Sequence, residues 1–74
     1  MCLADGKVKD SYIVEDIHLE EAAKRRLEVL GMVKGTAVQI LTRKHGAAMV
    51  IKVRGTRFAI GKAFAEGINV SAQA

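Results

Sequence analysis

The sequence predicts a mainly β domain, a small antiparallel barrel of about five strands with one α-helix capping it. Three observations carry that prediction. An amphipathic helical stripe runs through the first half and stops at a glycine. The hydrophobic period then falls from about 3.6 to 2. Short alternating segments follow at close spacing, separated by glycine turns. An open three-stranded meander would leave unpaired edges, so closure through the first and last strands is expected.

The organising stretch is RRLEVLGMVKGTAVQIL, residues 25–41. Its first six residues end the helix, with Leu27 and Leu30 on one face. Gly31 stands where a helix C-cap wants a residue that tolerates positive φ. Met32 and Val33 follow as the apolar contact of such a cap. Lys34-Gly35 makes a tight turn, and from Thr36 onward Val38 and Ile40 share one face of a strand.

The remaining elements fall around it. Residues 1–10 show no periodicity and are expected to fray, with Leu3 a candidate to pack on the domain. Over residues 11–17 a half-apolar alternation suggests the first strand, without fixing which face is inward. Residues 19–30 form the helix, with Leu19, Ala23, Leu27 and Leu30 as its stripe. Glu20 and Glu21 lie in its first turn and Lys24, Arg25 and Arg26 later, as the macrodipole prefers. Glu20–Lys24 and Glu21–Arg25 are favourable i,i+4 pairs, and Asp16 offers better N-cap chemistry than His18. Residues 36–43 form a strand, Lys44-His45-Gly46 a turn, and residues 48–53 a strand with Met49, Ile51 and Val53 inward. Lys52 and Arg54 take the wet face. Gly55-Thr56 turns the chain, residues 57–60 put Phe58 and Ile60 inward, and Gly61 ends that strand. Residues 62–66 close a single helical turn, residues 68–70 return to alternation, and residues 71–74 form a tail.

Size and composition restrict function. Seventy-four residues make a single domain, 1–74, with an ordered core of about 10–70. Such a chain buries only roughly 60–65% of its unfolded surface. Half the residues are apolar, with seven glycines and no proline, a composition suited to a packed domain of short strands and tight turns. Tyr12, Phe58 and Phe64 are the only aromatics, so aliphatic residues must fill the core. Cys2 is the only cysteine, which excludes an internal disulfide and a Cys-based zinc site and fits a reducing cytosol. No run approaches the roughly 18 apolar residues of a membrane span, and the opening residues lack the layout of a secretory signal. A cytoplasmic, soluble domain is expected.

The net charge of +4 is unevenly spread. Residues 1–28 hold seven acids and five bases, residues 29–65 hold seven bases and no acid, and residues 66–74 hold only Glu66. Such a basic half suits a negatively charged partner; the plainer alternative is a solvated face that aids solubility.

The ordered set R-R-L-E-V-L-G-M-V-K-G-T at residues 25–36, V-R-G-T-R-F-A-I at residues 53–60, then Ala65, Ile68 and Val70 resembles the FeoA family. These are the small cytoplasmic proteins that accompany the bacterial ferrous iron transporter. The resemblance covers roughly residues 12–70. It implies an SH3-like barrel without catalysis or a cofactor. It also implies a partner, the FeoB-type membrane transporter with its cytoplasmic GTP-binding domain. A related domain closes iron-dependent repressors of the diphtheria-toxin-repressor type; with no helix-turn-helix read ahead of the barrel, a stand-alone FeoA is the expectation and a stand-alone relative of that repressor domain the alternative. Two departures stand out. The family has a longer, proline-bearing turn where this chain has Lys44-His45-Gly46-Ala47-Ala48. Basic residues often follow the third long strand, where this chain has Gly61 and Lys62.

No metal site is expected, because His18, His45, Cys2 and the acids stand at no ligand spacing. Nor is catalysis: the sequence has no carboxylate pair, no Ser or Cys beside a His, and no phosphate-cradling loop, since Gly31 and Gly35 lack the Gly-Lys-Ser/Thr that would follow. The candidate partner-binding residues are Lys52, Arg54, Arg57, Arg43 and Lys44 on the basic face, with Met32 as a second candidate, an apolar anchor at the helix end. Nucleic acid is the rival partner, since Arg43, Lys44, Lys52, Arg54, Arg57 and Lys62 suit phosphates. Single-strand-binding barrels stack bases on exposed aromatics, however, and alternation assigns Phe58 to the core, with Phe64 expected there too. Weak self-association through a sheet edge stays open.

Overall fold

A computed structural model describes residues 1–44 and 48–73. In chain order they form a 3-10 helix (Leu3–Asp5), β1 (Ser11–Ile17), α1 (Glu21–Val29), β2 (Ala37–Arg43), β3 (Met49–Val53), β4 (Thr56–Ile60), α2 (Lys62–Glu66) and β5 (Ile68–Ala72). The turn expected at Lys44-His45-Gly46 falls mostly outside the described residues, as does Ala74.

The five strands form one antiparallel sheet in the order β4-β3-β2-β1-β5. Alternation puts Tyr12 and Val14, Val38 and Ile40, Met49, Ile51 and Val53, Ile60, and Ile68 and Val70 on its buried face. The register skips Glu15 in β1 and Leu41 in β2. These bulges add local bend and twist, which help a flat ribbon curl around one aliphatic core.

Closure is less complete than expected. β1 joins β2 to β5, so the first and last strands do pair. No ladder joins β4 to β5 among the described residues. The outer edge of β5 is met by the start of the chain instead: the Val70 N–H donates to the Met1 carbonyl at 2.7 Å, and Cys2 bridges to Asn69.

The expected fraying of residues 1–10 is overturned. Leu3 is fully buried in the core cluster, and Gly6 lies so close to Ile40 and Tyr12 that a Cβ there would approach Ile40 Cδ1 to 2.5 Å. The Lys7 N–H donates to the Tyr12 hydroxyl at 2.8 Å. Leu3 thus packs on the domain as its candidacy had it, while the short turn that carries it leaves no periodic trace, which is why order in residues 1–10 was not expected. The C-terminal tail also begins later than expected, because Ser71 and Ala72 belong to β5.

α1 covers the core with Ala23 and Leu27, whereas Leu30, assigned to the same stripe, is 43% exposed. The helix starts after Glu20, which makes no side-chain cap, and Asp16 stays in β1. Its other end follows the expected cap. Gly31 has φ +97°, the Gly31 N–H donates to the Glu28 carbonyl at 3.0 Å, and the Met32 N–H donates to the Leu27 carbonyl at 2.9 Å. That bond pair is a Schellman motif. Gly35, at φ +89°, turns the chain back. Its N–H donates to the Val14 carbonyl at 2.8 Å, and the Val14 N–H donates to the Thr36 carbonyl at 2.9 Å. Helix stop and strand start are thereby both tied to the sheet.

Candidate functional site

The β3–β4 hairpin collects the basic residues that the sequence singles out, but not all of them. Lys52 and Arg57 are direct cross-strand partners and both are exposed. Gln39 faces Lys52 from β2, so the outer surface reads Gln39, Lys52, Arg57 across three strands. Among the described residues Arg25 and Glu21 form an ion pair at 3.8 Å, and His18 lies 3.9 Å from Asp16. Neither Lys52 nor Arg57 is therefore in an ion pair among the described residues, and like charges directly opposite each other destabilise a ladder.

Arg54 forms the tip. Here the structure corrects the expected turn: the two connecting residues are Arg54 and Gly55, not Gly55 and Thr56, since Val53 pairs with Thr56. Both have positive φ, +51° and +81°, the sign pattern of the type I′ turn that suits the twist of a two-residue hairpin. The left-handed conformation is costly for a residue with a Cβ, and asparagine or glycine is usual at this position. The Arg54 stem runs back over the end of α1, where a Cβ on Gly31 would lie 3.3 Å from Arg54 Cδ. Arg54 and Lys34 border one groove, with Val33, Gly35, Thr36 and Ala37 completing its lining.

Arg43 stands apart from this set. The bulge at Leu41 shifts the alternation, so Arg43 pairs with inward-facing Met49 at the strand end. Its guanidinium donates to the Ala4 carbonyl of the N-terminal 3-10 helix, which gives it a structural task. Lys44 is exposed just past the end of β2. Met32 is overturned as an anchor: it is fully buried, because the Schellman geometry that follows Gly31 turns its side chain into the core with Leu27.

The sequence reading missed a second feature. Val29 is 87% exposed, and Ala22, Arg25, Arg26, Val29 and Leu30 line one groove on the outward side of α1. These residues stand at i, i+3, i+4, i+7 and i+8, but two of them are arginines, so no apolar period marks the stripe, although their aliphatic stems act as walls. Phe58 and Phe64 are half-buried and pack against the core, so neither stands out as a free stacking platform.

No group of three or more His, Cys, Asp or Glu among the described residues is arranged to hold a metal ion. No helix among them is long and apolar enough to cross a membrane.

Comparison with known proteins gives a consistent picture. A solved FeoA protein from Chlorobium tepidum is 31% identical with a TM-score of 0.94, covering 100% of this chain and 71% of that one. FeoA from Stenotrophomonas maltophilia, solved with zinc, is 32% identical with a TM-score of 0.85, covering 96% of this chain and 89% of that one. It is described as a procaryotic SH3 domain protein and a suggested ferrous iron transport activating factor. The fold is therefore the SH3-like one that the resemblance implied. A manganese-dependent transcriptional repressor shares the fold at 16% identity and a TM-score of 0.89, with 99% of this chain and 41% of that one covered. Among curated protein sequences none matches the chain. The FeoA domain model spans residues 1–72, and with these neighbours it establishes that the chain belongs to the FeoA family.

Proposed function

We propose that this chain is a non-enzymatic accessory protein of ferrous iron uptake that works in the cytoplasm. It docks its β3–β4 hairpin on an acidic surface of the cytoplasmic GTPase part of a FeoB-type transporter. Family membership supports the pathway, and the description of the Stenotrophomonas protein as a suggested activating factor agrees with it.

One observation carries the choice of surface. Lys52 and Arg57 face each other with no acid anywhere in residues 29–65 to offset them. A fold that keeps a repulsive pair, with Arg54 in a costly conformation beside it, gains from that arrangement when an anionic surface arrives.

The test is association of the purified chain with the transporter's soluble cytoplasmic region, read together with ferrous iron uptake in cells. The double change Arg54→Glu and Arg57→Glu is expected to abolish association while the thermal unfolding curve stays cooperative. Wild-type binding weakens as salt rises, because exposed charges are screened within about 8–10 Å at physiological ionic strength. Unchanged association and uptake in the double variant would show that the hairpin is not the contact. Micromolar binding of a labelled oligonucleotide, with a steep salt slope, would replace this reading with a nucleic-acid one.

A further inference from the structure

We infer that the outward face of α1 is a docking groove for an amphipathic helix of a partner protein, one whose apolar stripe is flanked by carboxylates. The inference goes beyond the hairpin surface and requires nothing of the transporter.

α1 carries two stripes. The first, Ala23 and Leu27, is buried against the sheet. The second, Ala22, Arg25, Arg26, Val29 and Leu30, lines a single groove open to solvent. An outward helix position is normally filled by a straight-chain polar residue. Valine there has lower helix propensity and leaves apolar surface in water, yet Val29 is 87% exposed. Leu30, at 43%, carries the apolar surface to the helix end. A stripe along a helix axis presents a ridge and groove that a second helix can fill.

Charge selects the occupant. Arg25 and Arg26 flank the groove. Among the described residues Arg25 pairs with Glu21 alone, at 3.8 Å with both side chains largely solvated, and Arg26 has no ion pair. A second copy of this chain docked about a two-fold axis would bring the same arginines together, so self-association is disfavoured. A helix with carboxylates beside its apolar stripe meets both requirements: it covers Val29 and Leu30 and offsets the guanidinium groups.

The probe is a labelled helical peptide with leucines at i, i+3, i+4 and i+7 flanked by glutamates, and a twin with lysine in place of each glutamate. The acidic peptide is expected to bind saturably, with amide shift changes centred on Ala22, Arg25, Arg26, Val29 and Leu30. Val29→Gln removes apolar contact without touching the core and should weaken binding about tenfold. Arg26→Glu should reverse the preference, so that the lysine peptide binds better. Equal binding of both peptides, shift changes centred on the hairpin, or indifference to Val29→Gln would each overturn the inference. So would a dimer seen in sedimentation, or binding to equimolar phosphatidylglycerol–phosphatidylcholine vesicles, that Val29→Gln abolishes. Because no transporter is present in this assay, its failure is separate from failure of the hairpin reading.

Discussion

The stem of Arg54 lies against Gly31, so the tip of the β3–β4 hairpin rests on the glycine that ends α1. A Cβ on that glycine would lie 3.3 Å from Arg54 Cδ and 3.6 Å from Val53 Cγ1. Gly31 also has φ +97°, where an L side chain is strained whatever the surrounding space. Gly31→Ala therefore carries both a backbone and a steric penalty. We expect a loss of about 1–2 kcal/mol from the left-handed backbone alone, read as a lower urea midpoint at unchanged slope. An unshifted midpoint would mean that the helix end can relax away from the hairpin.

Arg54→Asn separates stability from docking. Asparagine tolerates the left-handed region and is favoured in type I′ turns, so the variant should be more stable by about 0.5–1 kcal/mol. It also removes a cation from the hairpin tip, so association with the transporter's cytoplasmic region should weaken. A thermal scan alongside a binding titration checks both signs. If stability rises and binding is untouched, Arg54 is an idiosyncrasy of the turn and not part of the contact.

How far the sequence revealed this depends on whether the determining interactions are local. The helix stop at Gly31, the turn at Gly35 and the inward face of Met49, Ile51 and Val53 follow from residue type and period, and each is found. The hairpin turn is displaced by one residue because Gly55 marks it under either assignment, and only the Val53–Thr56 pairing decides. The burial of Leu3 depends on docking between the chain start and β5, more than sixty residues away, which no local pattern encodes. The basic face was legible as composition but not as geometry. The bulge at Leu41 sends Arg43 to the Ala4 carbonyl and away from Lys52 and Arg57. The groove on α1 was hidden because arginine counts as polar in any periodicity, although its stem lines an apolar wall.

Gly6→Ala tests the N-terminal docking. The backbone there is ordinary, with φ −71°, so a methyl group adds no conformational strain. It does collide with Ile40 Cδ1 and with the Tyr12 ring, at 2.5 and 2.9 Å. Overpacking of this kind costs about 1–3 kcal/mol. The loss should be accompanied by faster amide exchange at Lys7, whose N–H donates to the Tyr12 hydroxyl. Wild-type stability in this variant would show that residues 1–6 are only loosely held.

Lys52→Glu is the sharpest separation of fold from contact. In the wild type Lys52 faces Arg57 directly across the β3–β4 ladder, and neither has an acidic neighbour among the described residues. The substitution turns a repulsive pair into an attractive one, a change worth about 0.2–1 kcal/mol for an exposed cross-strand pair. Both side chains are solvated, so the gain should shrink as salt is added and vanish near molar ionic strength. On an acidic partner the same substitution replaces attraction with repulsion and ties up Arg57 in the new ion pair. A more stable chain that binds the transporter's cytoplasmic region less well is therefore the expected result, measured by melting temperature and titration at the same two salt concentrations. Should binding survive while stability rises, the outer face of β3 and β4 is a solvated surface and the contact lies elsewhere.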